Sequence, residues 1–179
     1  MPRPPDRPPP IPHDAAYKAM YRHRQAIVDL CHYLAAPNGP LGSDTLAALD
    51  FSTLAKLPAE WVTEDIRRRH GDQVWRIRFK GASPDAGAGA WLLLLLEFQS
   101  RDDPDMALRI LGYVVELYRD LEARGVVRPG TRRPPVLPVV VHNGAWPWRA
   151  PVEVAELIAL RELPASVRQD LATLQPSQR

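Results

Sequence analysis

Asp72, Glu97 and Gln99 are the residues whose types and spacing point to chemistry. Glu97 and Gln99 close the segment WLLLLLEFQS, 91–100, where six apolar residues run unbroken before a carboxylate and an amide appear two positions apart. Upstream, DQVWRIRFK, 72–80, alternates between Trp75, Ile77 and Phe79 on one side and Val74, Arg76 and Arg78 on the other, as a half-polar strand does. The glycine-rich GASPDAGAGA between them is turn material, so a hairpin is the simplest connection. If Asp72 lies opposite Glu97, then Val74 faces Leu95 and Arg76 faces Leu93. Opposed side chains stand about 5 Å apart, and every second residue, about 7 Å along a strand, returns to the same face. In that register Asp72, Glu97 and Gln99 converge at one end of the hairpin. Two carboxylates and a carbonyl oxygen are hard ligands suited to Mg²⁺ or Mn²⁺, and such a metal can polarise a phosphodiester and activate a water. The alternative is structural: an acid that ends a buried strand can simply mark the solvated rim where the strand leaves the core.

The elements that must position these residues follow from periodicity. HDAAYKAMYRHRQAIVDLCHYLAAP predicts one helix with a stripe of Tyr17, Met20, Tyr21, Ile27, Leu30, Cys31 and Leu34, with Asp14 as N-cap and Pro37 and Gly39 ending it. SDTLAALDFSTLAKLP predicts a short, weaker helix or turn region, and EWVTEDI, 60–66, a short edge strand. WLLLLLEF, apolar on both faces, should lie centrally in a sheet covered on both sides. A helix over 102–125 is capped by Asp102 or Asp103, has Pro104 in its first turn, buries Met106, Ile110, Val114, Leu117 and Leu121, and ends at Gly125. PPVLPVVVHNG supplies another short strand, 136–142. The expected class is α/β, a mixed central sheet with a β-hairpin flanked by helices.

Composition sets outer bounds. The chain has 179 residues, enough for one domain with a sizeable core. Net charge is +2, which permits a nucleic-acid partner without requiring one. The single cysteine, Cys31, allows no internal disulfide, which fits a cytoplasmic location. Residues 1–12 are a Pro-rich stretch expected to form an extended tail, and they do not look like a secretory signal. The longest apolar run is far short of the roughly 20 residues that span a bilayer. No GxGxxG or phosphate-loop motif points to a small-molecule cofactor.

Four blocks taken together, HDAAYKAMY, VTEDIRRRHGDQVWRIRFKG, LLLEFQSRDDPDMALRILGYVVELY and LPVVVHNGAWPW, resemble the recombination-promoting nuclease (Rpn) family of YhgA-like transposases, within the PD-(D/E)XK nuclease superfamily. The resemblance runs from His13 to about Pro151. It implies a restriction-endonuclease-like core over 13–150 and metal-dependent DNA cleavage linked to recombination or mobile elements. It also implies that Asp72 and Glu97 bind Mg²⁺ or Mn²⁺. Gln99 stands where the wider superfamily usually has lysine. Glutamine carries no charge and takes no proton, so its expected role is to orient water or phosphate. The resembled family usually reads EHQS here, and Phe98 replaces that histidine. Family members usually continue further, so residues 151–179 are expected to be a short helical remnant of a truncated region.

Other residues carry alternatives. Asp14 is an accessory acid near the metal or a helix cap. Arg67, Arg68 and Arg69 precede Asp72 and would meet DNA phosphates or form an ordinary exposed charge run. Arg76 and Arg78 share the face of Asp72 and could do the same, or stack on Trp91 as a cation–π pair. Glu64 and Asp65 read as a solvated loop, Arg101 and Arg109 as surface residues, with contact to a DNA backbone the alternative for Arg109, and His142 as part of a structural turn, with a metal or catalytic role as its alternative. Two function classes stand against each other: an active endonuclease, and a catalytically inactive DNA-binding or regulatory module of the same fold. Double-strand cleavage would call for a homodimer, because one such site cuts one strand at a time.

Overall fold

Seven consecutive residues of WLLLLLEFQ, Leu92 to Phe98, are buried, and this strand is the axis of the fold. The computed structural model describes residues 13–57, 73–159 and 164–167. The Pro-rich opening stretch, the 60–66 segment expected as an edge strand and most of the C-terminal tail lie outside the described residues. In chain order the elements are α1 (His13–Met20), α2 (Arg24–Leu34), α3 (Ser43–Ala48), β1 (Leu49–Lys56), β2 (Gln73–Phe79), β3 (Trp91–Gln99), α4 (Met106–Ala123) and β4 (Val136–His142). The four strands form one mixed sheet in the order β1-β2-β3-β4. β3 runs antiparallel to β2 and parallel to β4. The class is α/β, and β3 lies inside the sheet, as its two-faced apolarity predicts.

The hairpin register follows the sequence expectation at each described pair, with Val74 opposite Leu95 and Arg76 opposite Leu93. Alternation then sorts β3 onto two cores. Leu92, Leu94, Leu96 and Phe98 pack with Ile27, Leu30 and Cys31 of α2 and with Trp75 and Ile77 of β2. Leu93 and Leu95 pack with Val74 and with Met106, Ile110, Tyr113, Leu117 and Leu121 of α4. Each buried leucine contributes about 1.5–3 kcal/mol relative to exposure, so these two layers hold β3 in place and deliver its polar end to a defined position. Among the described residues no helix is long and apolar enough to cross a membrane.

Three sequence expectations are corrected. The first helix is broken at Tyr21–His23: hydrogen bonds tighten to Arg22 N to Ala19 O and His23 N to Met20 O, and His23 turns extended (φ −92, ψ 135). No proline or glycine forces the break. Its cause is tertiary: Lys18 of α1 accepts a bond from Gln73, while α2 lays its own stripe on the sheet, and packing overrides local periodicity.

The segment expected as a weak helix or turn is α3 followed by an edge strand, β1. Between Asp50, opposite Arg78, and Ala55, opposite Arg76, β1 takes five steps where β2 takes two. This wide bulge sends both Leu49 and Leu54 into one core, which regular alternation forbids for residues five apart. Asp50 Oδ1 accepts from the Ser52 main chain and hydroxyl, and Thr53 Oγ1 replaces a ladder acceptor for Arg78 N.

α4 begins at Met106, later than expected. Asp103 does not cap it in the usual way; its Oδ1 accepts from Asp105 N at 3.0 Å, and its Oδ2 is held by Arg109. The C-terminus is as expected. Gly125 takes φ +70, and the bonds Gly125 N to Glu122 O and Val126 N to Leu121 O form a Schellman stop.

Candidate active site at the end of the central strand

Glu97 is only 2% exposed, and a carboxylate so placed must be compensated. Its Oε1 accepts from Gln99 Nε2 at 2.6 Å and lies 3.4 Å from Arg109 Nη2. Its Oε2 is buried with no hydrogen-bond partner. Gln99 reaches Glu97 because the two sit two residues apart on the face of β3 that looks toward α4, the face of Leu93 and Leu95. Arg109 reaches it from the first turn of α4.

The guanidinium is itself held on several sides. Nη1 donates to Asp103 Oδ2, and Nε and Nη2 both donate to the Tyr113 hydroxyl, at 2.9 and 2.7 Å. Burial alone would weaken the Arg109 charge, but the Asp103 and Tyr113 bonds and the nearby Glu97 outweigh it and raise its pKa. At Asp103 burial pushes the pKa the other way, upward, and the Arg109 and Asp105 bonds bring the carboxyl net below its usual range.

The parallel strand closes the other side. β4 sets Val140 beside Glu97 and His142 beside Gln99. His142 Nε2 donates to the Trp146 carbonyl at 2.7 Å, and its ring meets Trp148 edge-on at 5.3 Å between centroids. A groove of about 320 Å³ opens here between α4 and β4, lined by Met106, Ile110, Val140, His142, Trp148 and Val152.

A carboxylate oxygen with no partner in a buried position is a hard ligand in search of a cation, so Glu97 Oε2 fits a divalent metal as one ligand. Gln99 could add its amide oxygen after rotation of the amide. Among the described residues no group of three or more His, Cys, Asp or Glu side chains stands together to complete such a site.

Of the residues singled out by sequence, the structure brings Glu97 and Gln99 together. Asp72 and Arg67, Arg68 and Arg69 lie outside the described residues, as do Glu64 and Asp65. Asp14 is the second residue of α1 and not the residue before it, and α1 is tied to the start of β2 by Gln73 Nε2 donating to Lys18 O at 2.7 Å. Arg76 and Arg78 stand apart from Glu97, toward the far end of the hairpin, where with Thr53 and Trp91 they line a smaller groove of about 220 Å³. Arg76 lies over the Trp91 ring at 4.7 Å, and Arg78 Nη2 donates to Ser83 O at 3.3 Å. Cys31 is a core thiol whose pKa burial raises to about 11, and it takes no part. The sequence expectation undervalued Asp103, Arg109 and Tyr113. Their signal was present: Arg109 and Tyr113 are four apart on the helix that follows Glu97, with an acid just ahead of the first turn.

Comparison with known proteins agrees with the resemblance. A family model described as "Putative transposase, YhgA-like" matches residues 11–175. The chain is 26% identical over 140 residues to the recombination-promoting nuclease RpnD of Escherichia coli O157:H7, covering 76% of this chain and 48% of that protein. It is 28% identical over 102 residues to a protein of Escherichia coli strain K12 named "Putative inactive recombination-promoting nuclease-like protein YjiP", covering 57% of this chain and 87% of that one. The chain therefore spans about half the length of the first of these relatives. No solved structure matches it.

Proposed function

For this chain, which belongs to the YhgA-like transposase family, we propose the activity of a metal-dependent DNA endonuclease, acting in recombination or on mobile elements. One observation carries the proposal: Glu97 is buried at the end of the central strand with Oε2 unpartnered, beside Gln99. The register of the hairpin supports it. Pairing is regular up to Gln73 opposite Leu96, and continued by one residue it would set Asp72 opposite Glu97. The name of the RpnD relative, a recombination-promoting nuclease, points the same way.

Asp72 and Glu97 would hold Mg²⁺ or Mn²⁺, which supplies Lewis-acid polarisation of the phosphodiester and activation of water. The protein's own residues do the rest. Gln99 orients water or a phosphate oxygen by hydrogen bonding, since an amide cannot act as a general base. Water adds to phosphorus, one P–O ester bond breaks, and the departing oxygen takes up a proton, leaving a phosphate monoester and a hydroxyl end. Arg76 and Arg78 lie on β2, four and six residues after Asp72 in sequence, where they can meet DNA phosphates further along the duplex.

A second reading has its own support. The YjiP relative is named inactive, and a chain of this fold that binds DNA without cutting it would act as a regulatory module. Plasmid nicking in Mg²⁺, Mn²⁺ or EDTA separates the two, with wild type set against Asp72→Ala and Glu97→Ala. Metal-dependent nicking lost in both folded variants supports the nuclease. DNA binding with no cleavage by wild type supports the module, and cleavage that survives both substitutions removes these acids from the chemistry.

A further inference from the structure

Arg109 has no place in the reaction as proposed, yet it is the most heavily bonded charged side chain beside Glu97. We infer that Arg109 is a positioning residue: it selects which oxygen of Glu97 faces a metal, and it holds down the affinity of the site for that metal. The inference rests on the proposed metal-binding role of Glu97.

The geometry separates three roles an arginine could have there. A phosphate clamp needs a free pair of donors, and four of the five guanidinium N–H groups are committed, which leaves a single one on Nη1. Here Nη1 is directed at Asp103, Nη2 at Glu97 and Tyr113, and Nε at Tyr113. A purely structural ion pair would saturate its acid. Arg109 does not: together with Gln99 Nε2 it engages Oε1 alone and leaves Oε2 buried and unpartnered. A positioning role accounts for both facts. Two donors on one oxygen fix the rotation of the carboxylate, and Asp103 and Tyr113 fix the arginine in turn.

The electrostatic consequence has a definite sign. Without metal, the guanidinium 3.4 Å from Oε1 partly neutralises a buried carboxylate and so stabilises the fold. With a divalent cation on Oε2, the same positive charge lies on the far side of the same carboxylate and repels it. Removing Arg109 should therefore destabilise the metal-free protein and tighten metal binding, because Glu97 and Asp103 are both left short of a counter-charge. An arginine that served only to hold the fold would weaken both properties when removed.

The test uses Mn²⁺ as the probe, with calorimetric titration, thermal melting in EDTA and plasmid nicking, on the full chain. Arg109→Gln keeps polar contact with Tyr113, Arg109→Met removes it, and Arg109→Lys keeps the charge without the fork. The expected result is a lower melting temperature in EDTA for the Gln and Met variants, with Mn²⁺ bound about ten- to a hundred-fold more tightly, the span over which outer partners tune metal sites. Turnover falls at saturating Mn²⁺, because Glu97 is no longer held in one rotation. Arg109→Lys retains an Mn²⁺ affinity within about threefold of wild type, as its charge is unchanged. If wild type binds Mn²⁺ and nicks DNA but the charge-removing variants bind Mn²⁺ equally or less well, the inference on Arg109 fails and the nuclease stands. If wild type itself takes up no Mn²⁺ and cuts nothing, both fail. Should Arg109→Met not fold, Arg109→Gln decides alone.

Discussion

The main-chain N–H of Asn143 donates to the carbonyl of Gln99 at 3.0 Å, which continues the β3–β4 pairing one residue past the end of β4. The chain then has to turn sharply over the candidate site. Gly144 permits this, since a Cβ there would come within 2.6 Å of the Ser100 carbonyl and 2.5 Å of the His142 ring. Gly144→Ala is expected to destabilise the protein by about 1–3 kcal/mol, as overpacking does, and to lower nicking through displacement of Gln99. Chemical denaturation compared with the nicking rate checks this. An unchanged denaturation midpoint would mean the turn relaxes without strain.

Glu97 leaves one buried oxygen unsatisfied, which is the signature of a group retained at a cost to stability. Glu97→Gln has nearly the same shape and carries no buried charge. In EDTA its stability should match or exceed wild type by up to about 1–2 kcal/mol. Nicking should fall by more than the about 100-fold typical of changes outside the ligand shell. A variant that is both markedly less stable and still active would place Glu97 in the core scaffold and outside the chemistry.

What was legible in the sequence was whatever regular periodicity encodes. Leu92 to Phe98 had to be central because both faces are apolar, and the register obtained by setting Asp72 opposite Glu97 is the one that the described pairs from Gln73–Leu96 to Arg78–Trp91 follow. β1 was not legible because its bulge is built from Asp50, Ser52 and Thr53, polar residues that substitute for ladder bonds and erase the two-residue period. The break after α1 was hidden for a different reason: the residues Tyr21–His23 carry no helix-breaking signal, and the bend is imposed by contacts on the sheet. At the site, Glu97 and Gln99 were visible as polar residues leaving a greasy strand. Arg109 carried only the weaker signal of its four-residue spacing from Tyr113, since an arginine on a helix is ordinarily exposed and the docking of α4 on β3 is what brings it to Glu97.

Gln73 is the second buried polar side chain of the hairpin, at 3% exposure. Its Nε2 donates to the Lys18 carbonyl, so it ties α1, which carries Asp14, to the start of β2. Gln73→Ala should cost about 1–3 kcal/mol through the orphaned carbonyl and the lost contact. It should also speed hydrogen exchange of the α1 amides while leaving those of α4 unchanged. Equal acceleration in both helices would show global destabilisation with no specific tie.

Asp103 anchors Arg109, and its net lowered pKa gives the pair a pH signature. A carboxyl with a folded pKa below its unfolded value contributes stability that is present above about pH 4 and is lost as pH falls through the folded value. Wild type should therefore be more stable than Asp103→Asn at neutral pH. The difference should shrink only below about pH 4, as protonation removes the charge that the variant already lacks. Because the Asp103 and Arg109 side chains are 23% and 36% exposed, added salt should also narrow the gap at neutral pH. Urea midpoints for the two proteins from pH 7 downward give the answer. A gap that persists undiminished to about pH 2 would mean that Asp103 acts through its shape and neutral hydrogen bonding, and that its charge does not secure Arg109.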